Sequence, residues 1–235
     1  MLKVENVTKK YGKKVAIRDI NLVVKKGEIF GFIGHNGAGK TTLIKAIVGI
    51  HDFDLGNIYI DGISIKDEPI LCKEKIAYIP DNPDIYLSLK GIEYLNFISD
   101  IYRVDEKTRE TQIEKYAKMF EILPNLGDLI SSYSHGMKQK LVVIGALLHN
   151  PKLLVLDEPF VGLDPKSTHT LREIMKELCD NGTAIFFSSH VLEVVEKLCD
   201  NVAIIKNGEI IAIGKLKQIK GDKSLENVFL ELTNE

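Results

Sequence analysis

The sequence predicts an α/β protein in which a mixed sheet core carries an antiparallel β subdomain and an inserted helical subdomain. Strand-like and helix-like segments alternate at both ends of the chain, which is typical of α/β folds. Between residues 82 and 150 this alternation gives way to longer segments with helical periodicity. We therefore expect a single domain over residues 1–235, with its core in 1–81 and 151–235 and its helical subdomain in 82–150.

The composition is that of an ordinary globular protein, with 45% hydrophobic and 27% charged residues. A formal net charge of −2 gives no global attraction to nucleic acid, so we expect no nucleic-acid partner. The three cysteines are isolated and are expected to be reduced cytoplasmic thiols. No signal-peptide pattern is visible, and the longest apolar run, Leu141–Leu148, is far shorter than the roughly 20 residues that span a bilayer. The chain is therefore not expected to cross a membrane by itself.

The first part of the chain predicts strands and hairpins. Apolar and polar residues alternate over Val15–Val24, which is the pattern of a half-buried strand. Asn57–Ile65 predicts a strand pair that turns at Asp61-Gly62, a dipeptide favoured in tight hairpins. Lys75–Pro80 predicts a further strand.

The middle of the chain predicts helices. Helical periodicity extends from Gly91 to Leu123, and Pro124 and Gly127 are expected to end it. A shorter helix is predicted from about Gly136 to His149.

The last part returns to alternating strands and helices. The continuous apolar run Leu153–Asp157 predicts a buried parallel strand. Further elements are predicted at Lys166–Cys179 (helix), Ala184–Ser189 (strand), Val191–Leu198 (helix), Val202–Ile205 (strand), a hairpin at Asn207-Gly208 and a helical tail at Ser224–Leu232.

The loop GHNGAGKT, at residues 34–41, matches the phosphate-binding pattern G-x-x-x-x-G-K-[ST]. Glycines allow successive backbone N–H groups to face an anion, and the following helix adds its positive N-terminal end. Lys40 would reach the β- and γ-phosphates, and the Thr41 hydroxyl would bind Mg²⁺. A chance glycine-rich turn is the alternative, whereas Thr42 excludes the dinucleotide pattern G-x-G-x-x-G. The residues expected to contact nucleotide here are Gly34, Asn36, Gly37, Ala38, Gly39, Lys40, Thr41 and Thr42.

The second candidate site element is the strand end LLVLDEP, which presents Asp157 and Glu158 together. Ligands of parallel sheets bind at the carboxyl ends of the strands. Asp157 suits a Mg²⁺ ligand, direct or through water, and Glu158 suits a general base that polarises the attacking water. A solvated acidic strand end is the alternative interpretation. Together with the phosphate loop, this element predicts a nucleotide hydrolase.

The segment YSHGMKQK, residues 133–140, resembles the signature motif of ABC-type ATPases. It departs from the commonest form at Tyr133, His135 and Met137 but keeps Ser134 and Gly136. Ser134 also has the position of a helix N-cap, and both roles are compatible because a helix N-terminus binds anions. With this segment and its phosphate loop, the chain resembles P-loop NTPases of the ABC type.

Other segments extend this resemblance along the chain. Tyr11 corresponds to an aromatic residue that stacks on adenine, and FVGLDP resembles the D-loop, which points to Asp164. FFSSH resembles the strand that ends in the switch histidine, here His190. The family usually has glutamine where this chain has Asp81. The resemblance implies that Asp81 contacts Mg²⁺ or the attacking water and acts as a hinge that relays the state of the site to the helical subdomain.

The resemblance implies an ATPase whose cofactors are ATP and Mg²⁺. Lys40, Glu158 and His190 would be catalytic, and Thr41, Asp157 and Asp81 would lie at the metal. In this family two subunits pack head to tail, so Ser134 and Gly136 would contact ATP held by a second nucleotide-binding subunit, and Asp164 is also expected to bind nucleotide. Separate transmembrane permease subunits would dock at the loop of residues 79–86, which places the chain on the inner face of the membrane. The signature, Asp81 and the tail resemble the bacterial exporter branch.

Other functions of P-loop proteins fit this sequence less well. A soluble ABC ATPase of translation or DNA repair usually carries two cassettes or a coiled-coil insertion, and a regulatory GTPase needs an N-K-x-D sequence that is absent here. A P-loop kinase would not explain Ser134, Gly136 or Asp164. A catalytically weakened, regulatory ATP-binding subunit is supported only by Asp81. The transported substrate and the choice between homodimer and heterodimer are left open by the sequence.

Overall fold

The structure is a computed structural model that describes residues 1–83 and 85–233. Residue 84 of the predicted docking loop and the last two residues of the predicted domain, 234 and 235, lie outside the described residues. The chain forms two compact units. The first contains Met1–Tyr78, Lys152–Pro159 and Met175–Glu235, and the second contains Ile79–Pro151 and Phe160–Ile174. The predicted domain boundaries stay a prediction.

The described residues form strands and helices in the following order. The strands are β1 (Leu2–Tyr11), β2 (Lys14–Val24), β3 (Ile29–Ile33), β4 (Leu55–Ile60), β5 (Ile63–Ser64), β6 (Ile76–Ile79), β7 (Leu153–Asp157), β8 (Ala184–Ser189), β9 (Asn201–Lys206) and β10 (Glu209–Lys215). The helices are α1 (Lys40–Ile47), α2 (Pro69–Lys73), α3 (Gly91–Ile101), α4 (Glu106–Met119), α5 (His135–Leu147), α6 (Pro165–Asp180), α7 (Leu192–Leu198), α8 (Leu216–Lys220) and α9 (Leu225–Thr233).

The first unit contains an antiparallel sheet with the strand order β2-β1-β4-β5. Its β4–β5 turn lies at Asp61-Gly62, where both residues have a positive φ, as a tight primed hairpin turn requires. This is the predicted antiparallel β subdomain.

A second sheet has the strand order β10-β9-β3-β8-β7-β6. Strands β9, β3, β8 and β7 pair in parallel, and β10 pairs antiparallel to β9, so the sheet is mixed, as predicted. The carboxyl ends of β3, β8 and β7 lie at the same edge, because Ile33 is in register with Ser189 and Asp157 with Ser188. This shared edge positions the loops that follow these strands.

Aromatic rings fill the centre of the first unit. Phe186 on β8 lies 5.9 Å from Phe30 and 5.4 Å from Phe32, measured between ring centroids. Fully burying each such ring contributes roughly 1.5–3 kcal/mol to stability. The buried face of α1, which includes Leu43 and Ile47, belongs to the same core cluster, and this packing fixes the helix that follows the glycine loop.

The prediction of continuous helical structure over Gly91–Leu123 was wrong. In the second unit this segment contains two separate helices, α3 and α4. The chain breaks at residues 102–105, where Arg103 has φ +55°, and α4 restarts with Asp105 as N-cap, accepting from Thr108 N at 3.0 Å. Helix α4 also ends at Met119, before the predicted Pro124. Periodicity alone missed both points because α3 and α4 each keep an apolar face.

None of the helices within the described ranges combines the length and apolar character that a bilayer crossing requires.

Candidate functional site

The glycine loop between β3 and α1 has a backbone that only glycine fits at two positions. A Cβ on Gly39, which has φ +114°, would lie 2.7 Å from Ile17 Cγ2 and 2.9 Å from the carbonyl oxygen of Ala16. A Cβ on Gly34 would lie 2.5 Å from the carbonyl oxygen of Ile205. Close packing of the loop against the sheet therefore requires both glycines.

The loop opens directly into the N-terminus of α1. Gly39 is the N-cap, and no side chain caps the helix. The first-turn N–H groups, including those of Thr41 and Thr42, are thus available to an anion at the positive end of the helix. This geometry fits the phosphate cradle that the sequence predicts.

The Lys40 ammonium is buried in the loop that precedes it. Its Nζ donates to the carbonyl oxygens of Gly34 at 2.6 Å and His35 at 3.3 Å. It also lies 3.4 Å from Glu158 Oε1, and both side chains are largely buried. The structure therefore brings Lys40 and Glu158 together, although they are far apart in sequence.

The end of β7 holds Glu158 in an unusual backbone conformation, with φ +50°. A non-glycine residue in this region is strained, and such strain is often found at functional sites. Glu158 N donates to Ser188 Oγ at 3.1 Å, and Ser188 Oγ donates to Asp157 Oδ1 at 2.6 Å. The buried Ser188 hydroxyl thus joins both carboxylate residues of the strand end.

The two carboxylate oxygens of Glu158 have different surroundings. Oε2 lies 2.9 Å from His190 Nδ1 and accepts from His190 N at 3.1 Å. Oε1 is buried and makes no hydrogen bond within the described residues, although it faces the Lys40 ammonium at 3.4 Å. An oxygen in this state can accept a hydrogen bond from a water molecule or another bound group. A buried cation, a free acceptor oxygen and an uncapped helix N-terminus fit a polyphosphate with its metal ion.

Tyr11 lies at the end of β1 with 47% of its surface exposed. Its ring makes an edge contact with His51 at a centroid distance of 6.3 Å, and Lys9 Nζ lies 5.4 Å from the ring centroid. The exposed ring is available for stacking, which fits the predicted adenine contact.

The remaining predicted residues, Asp81, Ser134, Gly136 and Asp164, lie in the second unit. Ser134 is the N-cap of α5 and accepts from Met137 N at 3.2 Å, as expected. A Cβ on Gly136 would lie 3.2 Å from the carbonyl oxygen of Gly162. The signature and D-loop segments are therefore in contact within this unit. Asp81 is exposed.

Besides its predicted role in nucleotide binding, Asp164 has a structural role as a helix cap. Its two carboxylate oxygens accept from Ser167 N at 2.8 Å and Ser167 Oγ at 2.6 Å, which makes it a capping residue for α6. Lys140 Nζ lies 3.2 Å from Oδ2. The hydrogen bonds from Ser167, followed by the charge of Lys140, hold the pKa of Asp164 well below its ordinary value.

Sequence reasoning missed Ser188, which appeared only as part of a predicted strand. The signal was a hydroxyl residue at the carboxyl end of a buried strand, two positions before His190. Its function depends on the pairing of β7 with β8, which the sequence does not specify.

A mixed, mainly parallel sheet with a phosphate-cradling helix and a carboxylate pair at one edge defines the class of α/β nucleotide hydrolases. A family model described as "ABC transporter" matches residues 17–161. A second, shorter match to "AAA domain, putative AbiEii toxin, Type IV TA system" covers residues 127–196. The chain belongs to the ABC transporter family, as its sequence predicted.

Individual relatives of the chain support the same family assignment. The chain is 40% identical to the linearmycin resistance ATP-binding protein LnrL of Bacillus subtilis (strain 168), over 91% of this chain and 69% of that protein. It is 33% identical to the ABC-type transporter ATP-binding protein EcsA of the same organism, over 100% of this chain and 97% of that protein.

Solved structures show the same fold. The ATP-binding subunit of an ABC transporter superimposes with a TM-score of 0.96 at 35% identity, covering 99% of each chain. A dimeric, post-hydrolysis state of the ATP-binding cassette MJ0796 with ADP and Pi has a TM-score of 0.83 at 26% identity, covering 92% of this chain and 99% of that one. For cbiO1 from Clostridium perfringens, part of the transporter complex cbiONQ, the TM-score is 0.81 at 28% identity, with 98% and 94% covered. The chain is therefore an ATP-binding subunit of the ABC ATPase type, which confirms the predicted fold, the predicted ATP-binding subunit and the predicted ATPase class.

Proposed function

We propose that this chain hydrolyses ATP at the shared edge of β3, β7 and β8, and that it powers export through separate membrane subunits. The observation that carries the proposal is Glu158, whose carboxylate lies between Lys40 Nζ and His190 Nδ1. A carboxylate at the end of a buried strand, next to a phosphate loop, suits a general base for water attack.

Glu158 orients the attacking water through Oε1 in this proposal, while His190 holds Oε2. The contacts to His190 fix the carboxylate, so little reorganisation is needed before the reaction. In this proposal His190 also contacts the transferred phosphoryl group. Together with Lys40 it would stabilise the charge that develops there.

The phosphate loop binds the triphosphate through its backbone N–H groups and Lys40. In place of its present carbonyl partners, the Lys40 ammonium would take the β- and γ-phosphate oxygens as acceptors. Thr41 and Asp157 are the groups that would hold Mg²⁺. The ion neutralises charge on the β- and γ-oxygens when bound. Tyr11 would stack on the adenine ring.

A second nucleotide-binding subunit completes the site in this proposal. The signature residues Ser134 and Gly136, together with Asp164, would face the nucleotide held by the partner. The dimeric structure of the similar cassette MJ0796 supports this arrangement. The N-terminus of α5 offers N–H groups to an anion, because Ser134 satisfies only one of them.

Membrane subunits are proposed to dock on the second unit, at the loop of residues 79–86 and the helix that follows it. Tyr86, Leu87, Phe97 and Ile101 are exposed there, and Tyr86 and Phe97 make an edge-to-face contact at 5.8 Å. Exposed apolar groups of this kind favour a protein partner. The similarity to cbiO1, part of a transporter complex, supports such a partner, and the resistance function in the name of LnrL supports export.

The test of the proposal is Glu158→Gln, with Lys40→Ala and the exposed Glu193→Gln as comparisons. Glu158→Gln should bind ATP, lose most of its hydrolysis and accumulate as a dimer on a sizing column. Lys40→Ala should lose ATP binding, and Glu193→Gln should match the wild type. When the Glu158→Gln variant is purified from its own membranes in the presence of ATP, a membrane protein should copurify with it. If the Glu158→Gln variant stayed monomeric and released phosphate at the wild-type rate, the assignment of Glu158 as the general base would be refuted.

A further inference from the structure

The phosphate loop contacts the C-terminal helix through one pair of rings. His35, in the loop, lies 4.7 Å from Phe229 on α9, with an interplanar angle of 53°. This separation is within the range of favourable aromatic pairs. Phe229 is only 6% exposed, so its ring is confined by its surroundings. The sequence predicts a helix here but gives α9 no connection to the loop.

His35 is a residue whose position affects the whole loop. Its carbonyl oxygen accepts from Ala38 N at 3.1 Å, which closes the turn at the centre of the cradle. The same oxygen accepts from Lys40 Nζ at 3.3 Å. A shift of His35 would therefore alter both the direction of the loop N–H groups and the contacts of the lysine.

Helix α9 is held at both ends by groups outside the loop. At its start, Leu225 N donates to Glu196 Oε2 at 3.2 Å, and the other oxygen of Glu196 pairs with Lys220. At its end, Lys206 Nζ donates to the carbonyl oxygen of Thr233 at 2.6 Å. The side chain of Thr233 donates to Phe229 O at 2.7 Å. Phe229 is thus presented to His35 from a fixed support.

We propose that Phe229 is a positioning residue for nucleotide binding, which holds the phosphate loop in its cradle conformation through His35. The proposal rests on the assignment of residues 34–42 as the nucleotide site. A loop that is already ordered loses less conformational freedom when it binds a ligand. Because Phe229 acts on the loop through His35, its loss should weaken ATP binding more than it slows the chemical step.

The experiment compares Phe229→Leu with Val228→Ala in the full chain. Both remove packing from the buried side of α9, since Val228 is 8% exposed, but only Phe229 has its ring against His35. ATP affinity is measured by displacement of a fluorescent ATP analogue, and kcat and KM by phosphate release. Phe229→Leu should raise the Kd and KM for ATP about threefold to tenfold, with a smaller change in kcat. Val228→Ala should leave the affinity at the wild-type value.

A double-mutant cycle with His35→Ala shows whether the effect passes through the ring contact. When two residues act through one contact, the effects of their substitutions on the binding free energy do not add. Phe229→Leu should therefore have little further effect on ATP affinity once His35 is alanine. Additive losses, equal losses in Val228→Ala, or a wild-type Kd for Phe229→Leu would each overturn the positioning role. If Lys40→Ala also bound ATP normally, the proposed nucleotide site itself would be wrong. Thermal unfolding of each variant separates these outcomes from a loss of folded protein.

Discussion

Replacing Ser188 by alanine removes one hydroxyl that supports both carboxylate residues of the site. Ser188 is fully buried, so water does not replace the lost bonds. Its Oγ donates to Asp157 Oδ1 at 2.6 Å and accepts from Glu158 N at 3.1 Å. A hydrogen bond to a charged group is worth about 1.5–3 kcal/mol, and one between neutral groups about 1 kcal/mol. We therefore expect Ser188→Ala to lower the free energy of unfolding by about 3 kcal/mol.

The same substitution should also slow catalysis. The bond from Glu158 N helps to hold the backbone of Glu158 at φ +50°, a conformation that is unfavourable without support. If about 1 kcal/mol of this support is lost, Glu158 occupies its productive orientation less often, and kcat should fall about fivefold. Affinity for ATP should change less, because the phosphate loop is not touched.

Urea unfolding and steady-state phosphate release measure the two effects, and Ser189→Ala is the matched control. Ser189 is also buried, on the same strand, but among residues 1–83 and 85–233 its Oγ accepts a hydrogen bond only from Val191 N, at 3.0 Å. This neutral bond predicts a loss of only about 1 kcal/mol. Equal destabilisation by both substitutions, or a wild-type kcat in Ser188→Ala, would refute the reasoning.

Two further predictions concern the second unit. Asp81→Gln keeps an oxygen donor and removes a negative charge, so basal phosphate release should stay largely intact, and its complete loss would make the carboxylate catalytic. Asp164→Ala removes a helix cap and should cost about 1 kcal/mol in urea unfolding at pH 7. Because hydrogen bonds lower the pKa of Asp164, its stabilisation is fully present above the unfolded pKa of about 3.9 and is lost as the pH falls below it. The gap between wild type and variant should therefore close in acid, and a gap independent of pH would contradict this cause.

Features that depend on neighbouring residues were predicted well. The strand end Leu153–Asp157 and the hairpin turns at Asp61-Gly62 and Asn207-Gly208 follow from local apolar pattern and turn chemistry. The break between α3 and α4 was missed, although Asp105 is a good N-cap residue, because the apolar periodicity on either side hid it. Local signals fail where two elements in sequence share the same period.

The sequence by itself determined the chemistry that this protein can perform. The glycines, Lys40 and the Asp157-Glu158 pair are set by their immediate neighbours, since a phosphate cradle and a strand end are short-range features. Only the tertiary structure decided which side chains meet. Parallel pairing of β7 with β8 brings Ser188 to both carboxylates, and packing of α9 brings Phe229 to His35. These contacts join residues far apart in the chain and depend on the packing of the whole core, which no local pattern encodes.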